Sequence, residues 1–221
     1  EEYQGGREPA EESHRETARI VAARVASEHG IVAQTLCGEA LPPETNLLYT
    51  TYLDLRSVDL GDSAIVVPGE GGTVPAAPLP DDEDGVLEIR DGVPVAAALS
   101  PGARAAGVTL TSLGDLLAAD PERAKALFDD VGSLPADDKF AQLTRALWSD
   151  GMVLDIPAGV RLAKPILLRW ASGAPGLAVF GRTLIRLGAG ASASVVEELA
   201  PSGAEAAGPQ AFLAGTSEVS L

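Results

Sequence analysis

The sequence predicts a mixed α and β fold in which a helical N-terminal region precedes a strand-rich C-terminal part. Apolar residues recur at helical spacing in residues 13–30 and again in residues 111–150. After residue 151 the pattern changes to short apolar runs separated by proline and glycine, which is typical of strands and turns. The length of 221 residues is enough to bury a sizeable core and is usual for one or two domains.

These changes of pattern divide the chain into four parts. Residues 1–60 are predicted to form an N-terminal helical and irregular region, and residues 61–110 to form short strands with a mobile acidic loop. Residues 111–150 are a helical connector, and residues 151–221 are the strand-rich core. The chain begins with Glu1 rather than Met and ends on a strand-like run, as expected of a fragment.

Capping residues predict where the helices begin and end. Ser13 and Glu16 form a capping box for a helix that Gly30 can end. Its apolar residues fall on one face, so an amphipathic helix is expected over residues 13–30.

The connector carries three further helix signals. Ser112 and Asp115 cap one short helix, and Asp120 with Pro121 starts another. A third helix stops at Gly151, where a glycine is expected to supply positive φ as the helix turns into a strand. The residues of the second and third helices predicted to face the core are Ala124, Leu127, Phe128, Val131, Phe140, Leu143 and Leu147.

Short apolar runs predict the strands. In residues 61–110 these runs are Ala64–Val67, Val86–Ile89 and Val93–Leu99. After residue 151 they are MVLDIP, PILLRW, LAVF, RTLIRLG, ASASVVEEL and AFLAGTSEVSL. Turn signals recur about every 8 to 12 residues with no helix between them, which permits a sandwich, a barrel or a parallel β-helix. Periodicity leaves these three open.

Charge and cysteine content exclude several classes of function. The chain has 16 basic and 32 acidic residues, and a net charge of −16 repels phosphate backbones and anionic lipids, so neither nucleic acid nor membrane is an expected partner. No apolar run approaches the roughly 20 residues that span a bilayer, and a cytoplasmic protein is expected. One cysteine, Cys37, excludes an internal disulfide framework and a self-contained thiolate metal site.

The side chains that could carry chemistry have simpler interpretations. Cys37 has no second cysteine or nearby histidine with which to share a metal, and an ordinary half-buried thiol is favoured. His14 and His29 flank the first predicted helix, where capping or solvated roles are favoured. All three are therefore predicted to be structural.

Two acidic pairs and one glycine-rich turn also have simple structural interpretations. The pairs Asp137–Asp138 and Glu197–Glu198 are interpreted as solvated charge. Adjacent residues of a strand point to opposite faces, so Glu197 and Glu198 cannot share a substrate bond. Gly188 and Gly190 resemble a phosphate-binding loop only weakly, since the chain lacks the GxxxxGKS/T pattern.

The block DDKFAQLTRALWSDGMVLDIPAGVRLAKPILLRW, from Asp137 to Trp170, resembles the SufB/SufD family of iron–sulfur cluster assembly scaffold proteins. Members of that family show a helix of the form "KF..LN.A...DG" that runs into "V.VP.GV.L..PI.L". The stretch GRTLIRLGAGASASVVEEL, residues 181–199, is similar to the family's "RTLI.LG..A...V.E" pattern. The resemblance extends over roughly residues 108–221.

The resemblance implies a right-handed parallel β-helix behind a helical N-terminal domain, with residues 151–221 as the truncated start of the β-helix core. It implies a non-enzymatic, SufD-like scaffold subunit that acts with a SufB-like paralogue and a SufC-like ABC ATPase, and it also allows a homodimer. The iron–sulfur cluster would be held transiently by the assembled complex, with no cofactor in this chain. The family residues linked to cluster assembly lie in later segments, so no position here is assigned a catalytic, cofactor-binding or metal-binding role.

Three alternatives stay open. The chain could be SufB-like, although it has no obvious cysteine-bearing insertion before the matched block. It could be a carbohydrate-active β-helix enzyme that uses Asp150 and Asp155, with Arg161 or Lys164 nearby. It could also be a structural fragment that associates through an unpaired strand edge.

Overall fold

The computed structural model describes residues 63–67, 74–131, 139–203 and 211–221. The strands in this part of the chain are β1 (Ala64–Ile65), β2 (Gly85–Arg90), β3 (Val93–Leu99), β4 (Thr109–Ser112), β5 (Met152–Ile156), β6 (Ile166–Ser172), β7 (Leu177–Leu187), β8 (Val195–Pro201) and β9 (Phe212–Ser220). The helices are α1 (Pro101–Ala105), α2 (Leu113–Ala119), α3 (Pro121–Val131) and α4 (Lys139–Leu147).

The strands form two sheets. In the first sheet, β7 is paired with β9 on one edge and with β1 and β5 on the other, and β4 lies beyond β5. The second sheet has the order β3-β2-β6-β8. The β2–β3 and β4–β5 pairs are antiparallel, whereas the other strand pairs are parallel. Both sheets are therefore mixed.

From β5 onward, successive strands alternate between the two sheets. Each strand pairs in parallel with the strand two places further along the chain, as in the register Val153 with Leu184 and Ile166 with Val195. Because side chains alternate along a strand, each strand of the first sheet presents one face to the second sheet and one face to the helices.

The main core fills the space between the two sheets. Its fully or nearly fully buried members include Leu87, Ile89, Leu154, Ile156, Leu168, Trp170 and Val179. A second cluster joins α2 and α3 to Val153 and Leu184 on the opposite face of the first sheet. A third joins α4 to Ala178 and Phe180 on that same face. Helices α2, α3 and α4 thus cover the outer face of the first sheet.

The predicted caps of two helices are confirmed. The hydroxyl oxygen of Ser112 accepts a hydrogen bond from the Asp115 amide at 3.0 Å and begins α2. The carboxylate of Asp120 accepts one from the Arg123 amide at 3.0 Å at the start of α3. Helix α1 and strand β4 were not predicted, although Ser100 followed by proline is a helix-start signal and Ser100 Oγ accepts from the amide of Ala103.

Two glycines differ from their predicted roles. The runs LAVF and RTLIRLG were predicted as separate strands, but β7 continues through Gly181. Glycine is required there because a Cβ would lie 2.6 Å from the ring of Trp170. Gly151 was expected to have positive φ, and it does not. It is required because a Cβ would overlap the carbonyl oxygen of Arg182.

The predicted fold class, a helical N-terminal region followed by the first coils of a right-handed parallel β-helix, is wrong. The described residues are mostly strand with few helices, arranged in mixed sheets. Asp91 and Gly92 have φ values of 46° and 83°, which close β2 and β3 into an antiparallel hairpin, and β4 runs antiparallel to β5.

The helix predicted over residues 13–30 lies outside the described residues. In the part of the chain that the structure describes, no helix is both long enough and apolar enough to cross a membrane.

Candidate functional site

Several side chains singled out from the sequence lie outside the described residues. They are His14, His29, Cys37, Asp137 and Asp138. The side chains that can be placed are the glutamate pair of β8, the glycines after β7, and the acidic and basic residues around β5.

The glutamate pair of β8 binds two separate partners. Glu197 accepts a hydrogen bond from the indole N–H of Trp170 at 2.7 Å. Glu198 accepts one from Arg169 Nε at 2.6 Å. Trp170 points into the core and Arg169 points away from it, so the two carboxylates do not converge, as strand alternation predicts.

Gly188 and Gly190 belong to a turn that is packed against backbone. A Cβ at Gly188 would overlap the backbone of Ala158, and Gly190 has a φ of 72°. The amide of Gly188 donates to the carbonyl of Ile156 at 2.8 Å. These glycines have an architectural role in joining the two neighbouring turns.

Asp150 and Asp155 do not share a partner in the described residues. Asp155 lies at the surface, where its carboxylate forms ion pairs with Arg186 and, at 3.5 Å, with Arg123. Asp150 is buried and bound to backbone amides. Lys164 is exposed, and its amide donates to Asp84 at 3.0 Å. The structure does not bring these residues together as an acid–base pair.

The segment from Asp137 to Trp170 contains a buried junction between helix and strand, formed by Ser149, Asp150 and Gly151. Ser149 Oγ accepts from the amide of Phe180 at 3.1 Å, and the carbonyl of Asp150 accepts from the amide of Arg182 at 3.1 Å. Both bonds attach the junction to the middle of β7. The chain can leave α4 and enter β5 here because Gly151 lets the two backbones approach.

The carboxylate of Asp150 links this junction to a third segment. Its Oδ1 accepts from the amide of Gly114 at 3.1 Å and from that of Gly151 at 2.7 Å. Gly114 lies in the first turn of α2, so one oxygen holds that helix against the start of β5. Burial raises the pKa of Asp150 to about 7, although the backbone hydrogen bonds oppose the shift.

Beside the junction lies a buried ion pair. Arg182 Nε on β7 donates to Glu218 Oε1 on β9 at 2.7 Å, and the two side chains are only 5% and 2% exposed. The guanidinium also lies 4.4 Å from the ring centroid of Phe128 on α3. Burial lowers the pKa of Arg182, and the hydrogen bond to Glu218 acts in the opposite direction. The pair fixes α3, β7 and β9 together.

Sequence reasoning missed this pair. The sequence signal is that Arg182 lies two residues from both Phe180 and Leu184 on one strand, so the three side chains point to the same face. Phe180 and Leu184 are both buried on the helix-covered face of the first sheet. A charged residue at such a position must find a partner, because burying an unpaired charge is costly. The identity of the partner depends on the β7–β9 register and is not visible in the sequence.

The described residues contain no group of three or more histidine, cysteine, aspartate or glutamate side chains placed to hold a metal ion. The buried side chains of Ser149, Asp150, Arg182 and Glu218 bind backbone amides or one another, whereas Thr144 Oγ1 is buried with no hydrogen-bond partner among the described residues. The geometry supports rigid positioning of the helices on the first sheet.

Comparison with protein-family models and with curated proteins found no match for the chain. A functional interpretation therefore depends on the residues themselves. The segment that carries most information is the block from Asp137 to Leu199, because it contains the buried junction and Arg182.

Proposed function

We propose that the chain is a SufD-like scaffold subunit of an iron–sulfur cluster assembly complex, acting with a SufB-like paralogue and a SufC-like ATPase. The observation that carries the proposal is the resemblance of the Asp137–Leu199 block to the SufB/SufD family. On this interpretation the chain is cytoplasmic and non-enzymatic. The iron–sulfur cluster is the cargo of the complex, and this chain contributes surface and rigidity.

The positions of the motif residues support a scaffold role. Gly151 admits the backbone of β7, Gly159 has a φ of 75° in the PAG turn, and Gly188 admits the backbone of Ala158. These are residues whose identity is dictated by backbone geometry. The mixed sheets differ from the fold that the family implies, so the proposal depends on the motif residues and on the absence of a convergent acid–base pair in the described part of the chain.

Charge supports a protein partner. The net charge of −16 disfavours nucleic acid, and exposed carboxylates such as Glu198 lie on the open face of the second sheet. A partner with a basic surface would be attracted to the acidic chain at low ionic strength.

Co-expression tests the proposal. The 221-residue chain, carrying an affinity tag, would be produced with SufB-like and SufC-like proteins from one organism. We expect at least one of them to co-purify in a fixed ratio and to remain bound at about 0.3 M salt, where exposed charges are largely screened.

An unrelated ABC ATPase and an unrelated protein of similar negative charge serve as controls for non-specific capture. If neither SufB-like nor SufC-like protein is retained above those controls, the proposal is wrong. Anaerobic reconstitution with iron and sulfide gives a second readout: a stoichiometric cluster on the isolated chain would contradict the assignment of the cluster to the assembled complex.

A further inference from the structure

Asp150 is an acid in a position that ordinarily excludes one. Asp150 is 3% exposed. Its Oδ1 accepts hydrogen bonds from two backbone amides, that of Gly114 in α2 and that of Gly151 at the start of β5. The same residue is fixed to β7 through its carbonyl. Three segments therefore meet at this residue, and two of them are bound by its titratable side chain.

Charged groups on the surrounding elements do not neutralise it. From α2, the carboxylate of Asp115 opposes ionisation of Asp150. The guanidinium of Arg182 on β7 is paired with Glu218, and the charge of Arg145 on α4 acts on Arg182. Within the described residues, no cation contributes to the pKa of Asp150.

Strand β5 supplies no cation either. Its one charged residue, Asp155, is itself acidic and forms ion pairs with Arg186 and Arg123 at the surface. A buried carboxylate without a cation favours its neutral form when, as at Asp150, the desolvation cost of the charge exceeds what the backbone amide donors return.

We propose that Asp150 is a proton-sensitive latch that holds α2 against the helix-to-strand junction, firm when its carboxyl is protonated and weaker when it is ionised. In the neutral acid, Oδ1 still accepts from Gly114 and Gly151 as a carbonyl oxygen does. Ionisation adds a buried negative charge facing Asp115. The first element expected to loosen is α2, which is attached at Gly114.

The direction of the pH effect follows from linkage. The pKa of Asp150 is about 7 in the folded chain against 3.8 for the free side chain, so between these values the folded state binds the extra proton. The stabilisation is complete below pH 3.8 and is lost as the pH rises through about 7. Above that pH the contribution of Asp150 is constant.

The test compares the wild-type chain with Asp150→Asn by urea unfolding between about pH 5 and pH 8.5. Asparagine keeps an acceptor oxygen and cannot ionise. We expect the ratio of the two unfolding equilibrium constants to change by roughly a hundredfold over this range, since each unit of pKa shift corresponds to about a tenfold change. Asp155→Asn is the matched control, and it should leave the wild-type slope unchanged.

Direct titration covers the case in which Asp150→Asn does not fold. The carboxyl carbon resonance of Asp150 in the intact wild-type chain should titrate with a midpoint near 7, and Asp115→Asn should move that midpoint downward. Hydrogen exchange of the Gly114 amide should accelerate across the same transition beyond the intrinsic effect of pH. A midpoint near 4, or exchange at Gly114 that follows the intrinsic rate alone, would overturn the proposal.

Discussion

Arginine–glutamate ion pairs lie on the outer faces of both sheets, and their N–O distances are almost the same. Arg182 and Glu218 are joined at 2.7 Å under the helices of the first sheet, where they are 5% and 2% exposed. Arg169 and Glu198 are joined at 2.6 Å on the second sheet, where they are 38% and 46% exposed. The chemistry matches, but Arg169 lies directly opposite Glu198 whereas Arg182 reaches diagonally to Glu218, and the covering layer also differs.

The difference shows that the environment, more than the distance, determines what an ion pair contributes. On the exposed face, Arg169 also lies 3.9 Å from Glu88, so the pair belongs to a ladder of alternating charge across three strands. Water screens each member of that ladder. Under the helices, Arg182 has Glu218 and the ring of Phe128 around it, and removing one partner leaves a charge that water cannot reach.

The largest effect is expected for Glu218→Gln. The change leaves the guanidinium of Arg182 buried without an anion, and we expect the free energy of unfolding to fall by about 3 kcal/mol or more. Urea unfolding with an unchanged m-value would measure the loss. The double variant Arg182→Met with Glu218→Leu should recover part of it, because two apolar residues do not leave a charge unpaired. Equal losses in the single and double variants would contradict this account.

An intermediate effect is expected for Phe128→Leu. This variant keeps the ion pair and removes the aromatic face that lies 4.4 Å from the guanidinium and the contact of Phe128 with Trp148. We expect a loss of about 1 to 2 kcal/mol, from the cation–π contact and the lost packing. Phe128→Tyr retains a ring and serves as the matched control. A loss as large for tyrosine as for leucine would show that the ring face is not what stabilises Arg182.

The smallest effect is expected for Glu198→Gln, the same substitution on the exposed face. We expect a loss below about 1 kcal/mol. Added salt sharpens the comparison, because at about 0.5 M the effect of Glu198→Gln should vanish while that of Glu218→Gln persists. If both variants lost stability equally at high salt, the helices would not be shielding the first pair.

Local chemistry made part of the fold predictable. Ser112 and Asp120 signal helix starts through their own side chains, and both cap α2 and α3 as expected. The strand break expected at Gly181 was wrong, because the local signal of glycine is a turn whereas the requirement here comes from Trp170 on another strand. The antiparallel pairing of β4 with β5 likewise depends on contacts between distant segments.

The candidate site was less predictable for the same reason. The Asp-Gly sequence marked the junction correctly, but the reason given for Gly151 was wrong: close approach of the backbone of Arg182, and not positive φ, requires the glycine. The burial of Asp150 depends on where α2 packs, and the partner of Arg182 depends on register. Neither quantity is set by residues adjacent in sequence.

The two tryptophans occur in different layers of the molecule. Trp148 packs with Phe128 in the helical layer, whereas Trp170 lies between the sheets with its indole N–H bound to Glu197. Their fluorescence therefore provides two optical probes at separate depths. In the variants Trp148→Phe and Trp170→Phe, the remaining indole would report on one layer alone, so detachment of the helices could be timed separately from melting of the strand core.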